Sequence, residues 1–199
     1  MKSVVLLSGG QDSSVCAMLE RQVSDVTCLF VNYGQRHLVE RESARAFCTK
    51  FGFDLVELDF PQYAGVSNSS DFASGESPVI SNRNALLLTV GCSLAQKIGA
   101  ESVTIGVCGS DQDLFADCRV DYLRVLNGLV FPLGEVKMPL VHLNKADVLQ
   151  LGCRLGLEDW LKNGSHTCYN GSRKNNWWGV GCGECLSCQV VLKAVGGVS

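Results

Sequence analysis

A doubly wound α/β fold on a parallel sheet is predicted from three features of the sequence. An apolar run, Val4-Val5-Leu6-Leu7, feeds directly into Ser8-Gly9-Gly10-Gln11-Asp12-Ser13-Ser14 and then into a second apolar stretch, the order of a buried strand, a tight turn and a helix. Strand-like and helix-like stretches then alternate along the chain, the signature of βαβ units. At 199 residues, with 46% hydrophobic and 19% charged content, the chain is long enough for one sizeable core.

In order, the first strand covers Val4 to Leu7, and Ser13 to Leu19 continues as a helix. Val26 to Val31 is the second strand. His37 to Phe51 forms a helix that places Ala44, Phe47, Cys48 and Phe51 on one face, and Gly52 supplies its stop. Asp54 to Phe60 is the third strand. Ala64 to Pro78, rich in Ser, Gly and Asn, reads as a long loop and a cover near the site. Asn84 to Ile98 is an apolar helix and Ser102 to Val107 a strand. Arg119 to Val130 is helical. Lys137 to Val141 is a short strand whose Pro139 sends it to an edge. Asn144, with Asp147 three residues on, resembles a capping box opening a last helix.

The first turn carries the chemistry. Glycines at a helix N-terminus let backbone N–H groups approach an anion closely, and the helix dipole favours negative charge there. The serine hydroxyls add donors, and Asp12 is placed to hold a cation. The spacing is not that of a Walker loop, because no lysine follows the glycine pair. It resembles instead the Ser-Gly-Gly-x-Asp-Ser-Ser/Thr loop of ATP pyrophosphatases, which split ATP into AMP and pyrophosphate. The expected nucleotide-binding span is Leu7, Ser8, Gly9, Gly10, Gln11, Asp12, Ser13, Ser14, Val15, Cys16 and Ala17.

Charge and targeting narrow the class. A net charge of −3 argues against a broad nucleic-acid surface and for a small-molecule substrate. No stretch approaches a membrane span and the first apolar run is too short for a signal peptide, so a cytoplasmic location is expected. Seven of the eleven cysteines (Cys16, Cys28, Cys48, Cys92, Cys108, Cys118 and Cys153) are scattered through the regular elements and read as small core residues.

The other four define the tail. From Gly164 the composition turns to Ser, Asn, Gly, Trp and Cys, with Cys168 followed by Cys182, Cys185 and Cys188. That spacing suits a closed, all-sulfur tetrahedral site for structural zinc. An iron–sulfur cluster and a redox Cys-x-x-Cys pair compete with zinc, and His166 is a candidate to replace one thiolate. The organisation expected is a nucleotide-binding domain over residues 1–163 and a zinc-binding region over 164–199.

The phosphate loop VVLLSGGQDSS (4–14), NYGQRH (32–37), Arg83-Asn84, Asp117-Cys118-Arg119, PLVHLNKADV (139–148), CYNG (168–171) and CGECLSC (182–188) together resemble the 7-cyano-7-deazaguanine synthase family. The resemblance implies a Rossmann-like ATP pyrophosphatase domain of the adenine nucleotide alpha hydrolase type with a small zinc-bound region, usually a homodimer. It implies ATP, Mg2+ and Zn2+ as cofactors. Its substrates are a deazapurine acid and ammonia, with no direct nucleic-acid or membrane partner. The activity implied is ATP-dependent conversion of 7-carboxy-7-deazaguanine to the nitrile through adenylated acid and amide. Asp12, Ser13 and Lys145 are the catalytic candidates, Asp12 toward magnesium and Lys145 toward pyrophosphate. Arg36, His37, Arg83, Asp117 and Arg119 are candidates for the substrate: Arg36 and His37 by their place past the second strand's carboxyl end, Arg83 and Arg119 for oxyanions of substrate or nucleotide, and Asp117 for the guanine-like amidine edge.

Three segments depart from that family's pattern. Asp113-Leu114-Phe115-Ala116 stands where Ser-Gly-Tyr-Pro is usual before Asp-Cys-Arg, and Ser81-Asn82 replaces Pro-Ala before Arg-Asn. Thirteen residues, including Trp177-Trp178, separate Cys168 from Cys182. The open alternatives are a relative that stops at the amide or modifies another target in a DNA-modification or defence pathway, a tRNA sulfurtransferase, and a non-catalytic nucleotide-binding protein.

Overall fold

The computed structural model describes residues 1–35, 38–63 and 82–196. Arg36, His37 and the expected cover over Ala64 to Pro78 lie outside these residues. The described strands β1 (Lys2–Leu6), β2 (Asp25–Asn32), β3 (Asp54–Asp59), β4 (Ser102–Thr104) and β5 (Glu135–Lys137) form one sheet in the order β3-β2-β1-β4-β5. Every pairing is parallel, with Val4 opposite Thr27 on one side and Val103 on the other. The direction of winding reverses between β1 and β4, the position at which open α/β sheets bind ligands beyond their carboxyl ends.

Alternation along the central strands feeds two cores. Val5, Leu7, Cys28 and Phe30 face one side, where they meet helices α1 (Gln11–Arg21) and α2 (Val39–Phe51) through Val15, Ala17, Ala44 and Phe47. Val4, Leu6, Leu29, Val31 and Val103 face the other, under α3 (Arg83–Ile98) and α4 (Val120–Val130) through Leu88, Cys92 and Leu123. Because both faces are covered, the strands are apolar at successive positions rather than alternately polar. Of the seven scattered cysteines, six are buried and Cys153 is exposed.

Several boundaries shift by one or two residues from the expected ones, and three shifts bear on the site or the sheet edge. The fourth strand stops at Thr104 because the chain must pass under the start of α1, where a Cβ on Gly106 would stand 2.9 Å from Ser13 N. The edge strand runs Glu135–Lys137 and not Lys137 to Val141, since Pro139 lacks an N–H and restricts Met138 before it. The second helix starts at Val39.

Asn144 opens α5 (Lys145–Arg154) with the reciprocal cap expected: its Oδ1 accepts from Asp147 N at 3.0 Å, and Asp147 Oδ2 accepts from Asn144 N at 3.4 Å. Replacing Asn144 with alanine should cost about 1 kcal/mol in chemical denaturation. The cap also fixes Lys145, the first residue of that helix.

After a short π-helical turn at Trp160–Gly164, the tail forms a two-stranded hairpin of β6 (Asn175–Asn176) and β7 (Gly179–Val180), then α6 (Leu186–Gly196). Its own core is small: Cys168, Trp178, Cys188 and Val191.

Candidate nucleotide and metal sites

The phosphate loop is shaped by what a side chain would strike. Gly9 has φ +79°, and a Cβ there would stand 2.6 Å from Ala44 N and 2.7 Å from Glu40 O, so the loop lies flat on the first turns of α2. Gly10 is the extended N-cap of α1 and supplies no side-chain cap. The first N–H groups of α1 therefore remain available to an anion.

The serines around the turn divide by role. Ser8 Oγ and Ser13 Oγ are 3.1 Å apart and both hydroxyl-bearing residues line the cavity. Ser14 is fully buried; its hydroxyl donates to Gly10 O at 2.8 Å and accepts from Trp160 Nε1 at 2.9 Å. Val15, Cys16 and Ala17 belong to the core, and burial pushes the Cys16 thiol well up. Of the expected span, Leu7, Ser8, Gly10, Gln11, Asp12 and Ser13 line the cavity.

Lys145 comes to the same place from the far end of the sheet. Its Nζ donates to Asp12 Oδ1 at 2.7 Å and Oδ2 at 2.9 Å, with the lysine side chain 10% and the aspartate 23% exposed. The loop thus holds one anion and one cation in contact, each able to part toward a ligand of opposite sign.

The cavity, about 260 Å³ in volume, runs from this loop past the ends of β1, β2 and β4 to a polar wall. That wall includes Tyr33, Gln35, Glu40, Arg83, Asp111 and Tyr169. Burial raises the Tyr33 and Tyr169 phenols to about 12, and it raises the Glu40 carboxyl to about 7 against the pull of Arg83 and the Gln35 amide. Burial opposes the charge on Arg83, but Tyr33, Asp117, Cys118 and Glu40 outweigh it and hold the guanidinium cationic. Arg83 Nε is buried without a partner among the described residues.

Asp117 and Arg119 sit elsewhere. Asp117 Oδ2 accepts from Asn84 N at 3.1 Å, so its carboxylate satisfies the start of α3, and Asn84 Nδ2 returns to Asp117 O at 3.1 Å. Arg119 is the exposed N-cap of α4. Neither residue lines the cavity, whereas Arg83 does.

The tail brings four sulfurs together. The Sγ atoms of Cys168, Cys182, Cys185 and Cys188 all lie within 4.8 Å of one another. A tetrahedral ion about 2.3 Å from each thiolate sets the sulfurs roughly 3.8 Å apart, and Cys182 Sγ and Cys188 Sγ are 3.9 Å apart. The set fits a single soft metal ion. Burial would raise the Cys182 thiol, but the N–H groups of Cys185 and Glu184 outweigh it and bring it to about 6. His166 stands beside the set, its Nε2 3.0 Å from Cys168 O.

The tail and the π-helical turn before it also brace the phosphate loop. His166 N donates to Gly9 O at 3.0 Å, Gln11 Nε2 donates to Leu161 O at 3.1 Å, and Ser43 Oγ lies 2.9 Å from both Gly9 O and Gly164 O. No local motif signalled Tyr33, Glu40 or Tyr169, because each becomes a cavity wall only through the tertiary fold. The nearest signal was that Tyr33 and Tyr169 fall inside the quoted NYGQRH and CYNG segments.

Comparison with known proteins agrees with this architecture. Among solved structures, the chain is similar to the U34-tRNA thiolase NcsA from Methanococcus maripaludis with its [4Fe-4S] cluster (TM-score 0.57, 21% identity, 79% of this chain and 58% of that one). It is also similar to NMN synthetase from Francisella tularensis (TM-score 0.57, 19% identity, 98% of this chain and 76% of that one). At those identities the likeness speaks to fold alone. A 7-cyano-7-deazaguanine synthase from Helicobacter acinonychis (strain Sheeba) is 33% identical over 211 aligned residues, covering 96% of this chain and 93% of that protein. The family described as queuosine biosynthesis protein QueC matches residues 2–197, and the chain belongs to that family.

Proposed function

We propose that the protein converts 7-carboxy-7-deazaguanine, ammonia and two ATP into 7-cyano-7-deazaguanine, as an ATP-dependent ligase of queuosine-type biosynthesis. The observation that carries this reading is the continuity of one cavity from the phosphate loop to a polar wall. Such a space joins anion-binding groups at one end to polar groups suited to a planar polar acid at the other.

The chemistry runs in two rounds. The substrate carboxylate attacks the α-phosphorus of ATP, pyrophosphate leaves, and ammonia then displaces AMP to give the amide. In the second round the amide oxygen attacks another α-phosphorus and pyrophosphate leaves again. Loss of protons from nitrogen with departure of AMP then gives the nitrile. In both rounds the chain's task is to neutralise the pyrophosphate as it departs. The N–H groups at the start of α1 and the Ser8 and Ser13 hydroxyls face that charge. Lys145, now paired with Asp12, would be free to meet phosphate if Asp12 turned to hold magnesium, which would neutralise the departing charge. Arg83, cationic and facing the cavity, suits an oxyanion of substrate or nucleotide.

The cysteine set would hold zinc and serve folding, because four thiolates leave no position for water. A homodimer is carried over from the family resemblance.

The test is direct. Incubation with the acid, ammonium, magnesium and ATP should release two AMP for each nitrile, read by mass spectrometry. Release of one AMP with accumulation of the amide would end the chemistry at the first round. Absence of AMP, amide and nitrile alike would overturn the proposal.

A further inference from the structure

We infer that Glu40 reads the base edge of the substrate: its carboxylate, in the cavity wall beside Arg83, accepts the paired N–H donors that a guanine-type ring presents. The inference rests on the deazapurine reading above and assigns to α2 a role that Asp117 is placed to decline.

The cavity is lined by three described carboxylates, Asp12, Asp111 and Glu40. Asp12 is held by both of its oxygens against Lys145 at 2.7 and 2.9 Å. Asp111 Oδ2 accepts from Cys108 N at 2.9 Å, closing its own turn. Glu40 is the least engaged among described partners, with Gln35 Nε2 at 3.5 Å from its Oε2. Gln35 is in turn fixed, its Oε1 accepting from Tyr33 N at 2.9 Å and its Nε2 lying 3.4 Å from Val31 O. One carboxylate oxygen is thereby steadied, and the side chain faces the cavity.

Position and chemistry agree. Glu40 lies in the first turn of α2, whose backbone packs on Gly9 of the phosphate loop, so a ring held there sits within reach of the activated phosphate. A guanine-type edge offers a ring N–H and an exocyclic amino group side by side, two donors that match the two oxygens of a carboxylate. Adenine offers one donor beside an acceptor, which an ionised carboxylate repels. The half-buried carboxyl, raised by desolvation, gains its charge fully when such donors arrive, so binding the right ring and ionising Glu40 reinforce each other.

The discriminating experiment compares two acids, the 7-carboxy-7-deazaguanine substrate and its analogue lacking the exocyclic amino group, in the full-length protein. The wild type should prefer the amino-bearing acid by about 50-fold in kcat/KM, the worth of one good bidentate pair. Glu40→Gln should raise KM for that acid by a similar factor, reduce the preference to within about threefold, and leave KM for ATP within about twofold. Glu40→Asp, which keeps both oxygens, should restore most of the preference.

A merely structural Glu40 would lower activity on both acids equally, leave the preference intact, and so overturn the inference. A rise in KM for ATP instead of the acid would place Glu40 on adenine and overturn it as well. If Glu40→Gln does not fold, the wild-type preference and the Glu40→Asp variant still decide: equal use of the two acids by the wild type sinks the inference. Failure of the wild type to consume either acid is a different outcome, and it removes the deazapurine reading itself.

Discussion

Replacing Asp12 with alanine is expected to lower AMP release by at least about 10³-fold and to destabilise the folded protein by about 2 kcal/mol. The two effects have separate causes. Asp12 and Lys145 form a close pair with only 23% and 10% of their side chains exposed, and removing the carboxylate leaves an ammonium without a counter-charge. A fully buried pair loses roughly 3–5 kcal/mol when one partner goes; partial exposure of Asp12 to water reduces that here.

The double replacement of Asp12 and Lys145 with alanine separates stability from catalysis. With both charges gone, no orphaned ion remains, and more than half of the lost stability should return in urea denaturation. Activity should not return, because on the proposed reading the double variant lacks both the cation for the phosphates and the anion for magnesium. Recovery of AMP release in the double variant would show that the pair is only a structural ion pair. Lys145→Ala alone should match Asp12→Ala in activity while retaining the isolated carboxylate, which water reaches more easily than the lysine.

What was legible in the sequence was whatever is encoded within a few consecutive residues. The phosphate turn, the capping box of Asn144 and the cysteine spacing are local, and so are the apolar runs that become β1 and β2. Strand ends were less legible. Val4 to Leu7 is an apolar run whether or not Leu7 still pairs, and the early stop of β4 is set by Gly106 passing Ser13, a contact between residues far apart in the chain.

The substrate half of the cavity was the least legible. Asp117 stands beside Arg119 in a quoted motif, yet its carboxylate turns inward to the start of α3 and Arg119 turns outward. Glu40 has no distinguishing neighbour in sequence and looks like an ordinary acidic residue in the first turn of a helix. Only the packing of Gly9 on α2 and the arrival of Arg83 from α3 make it part of a wall. Local patterns report backbone demands and multi-ligand spacing; they do not report which of several acids a fold will bury.

Stripping the metal from the cysteine set is expected to abolish ATP cleavage even though the four thiolates are drawn together at a metal site in the tail. The core of the tail is Cys168, Trp178, Cys188 and Val191 with a few flanking apolar groups, too little apolar area to order the hairpin and α6 alone. Structural zinc contributes about 10–16 kcal/mol of apparent binding free energy in small domains, more than such a core supplies. Without it the segment from Cys168 onward should lose its structure. His166, two residues before Cys168, would then be released from Gly9 O, and the brace between Ser43, Gly9 and Gly164 would loosen. Chelation, or Cys188→Ser, should therefore remove amide-exchange protection first in residues 168–196 and next in the loop at 8–14, while β2 and β3 stay protected. Elemental analysis should find one zinc per chain before chelation; four irons with sulfide would assign a cluster instead. Loss of protection confined to the tail, with ATP cleavage intact, would show that the metal region is an appendage with no hold on the phosphate loop.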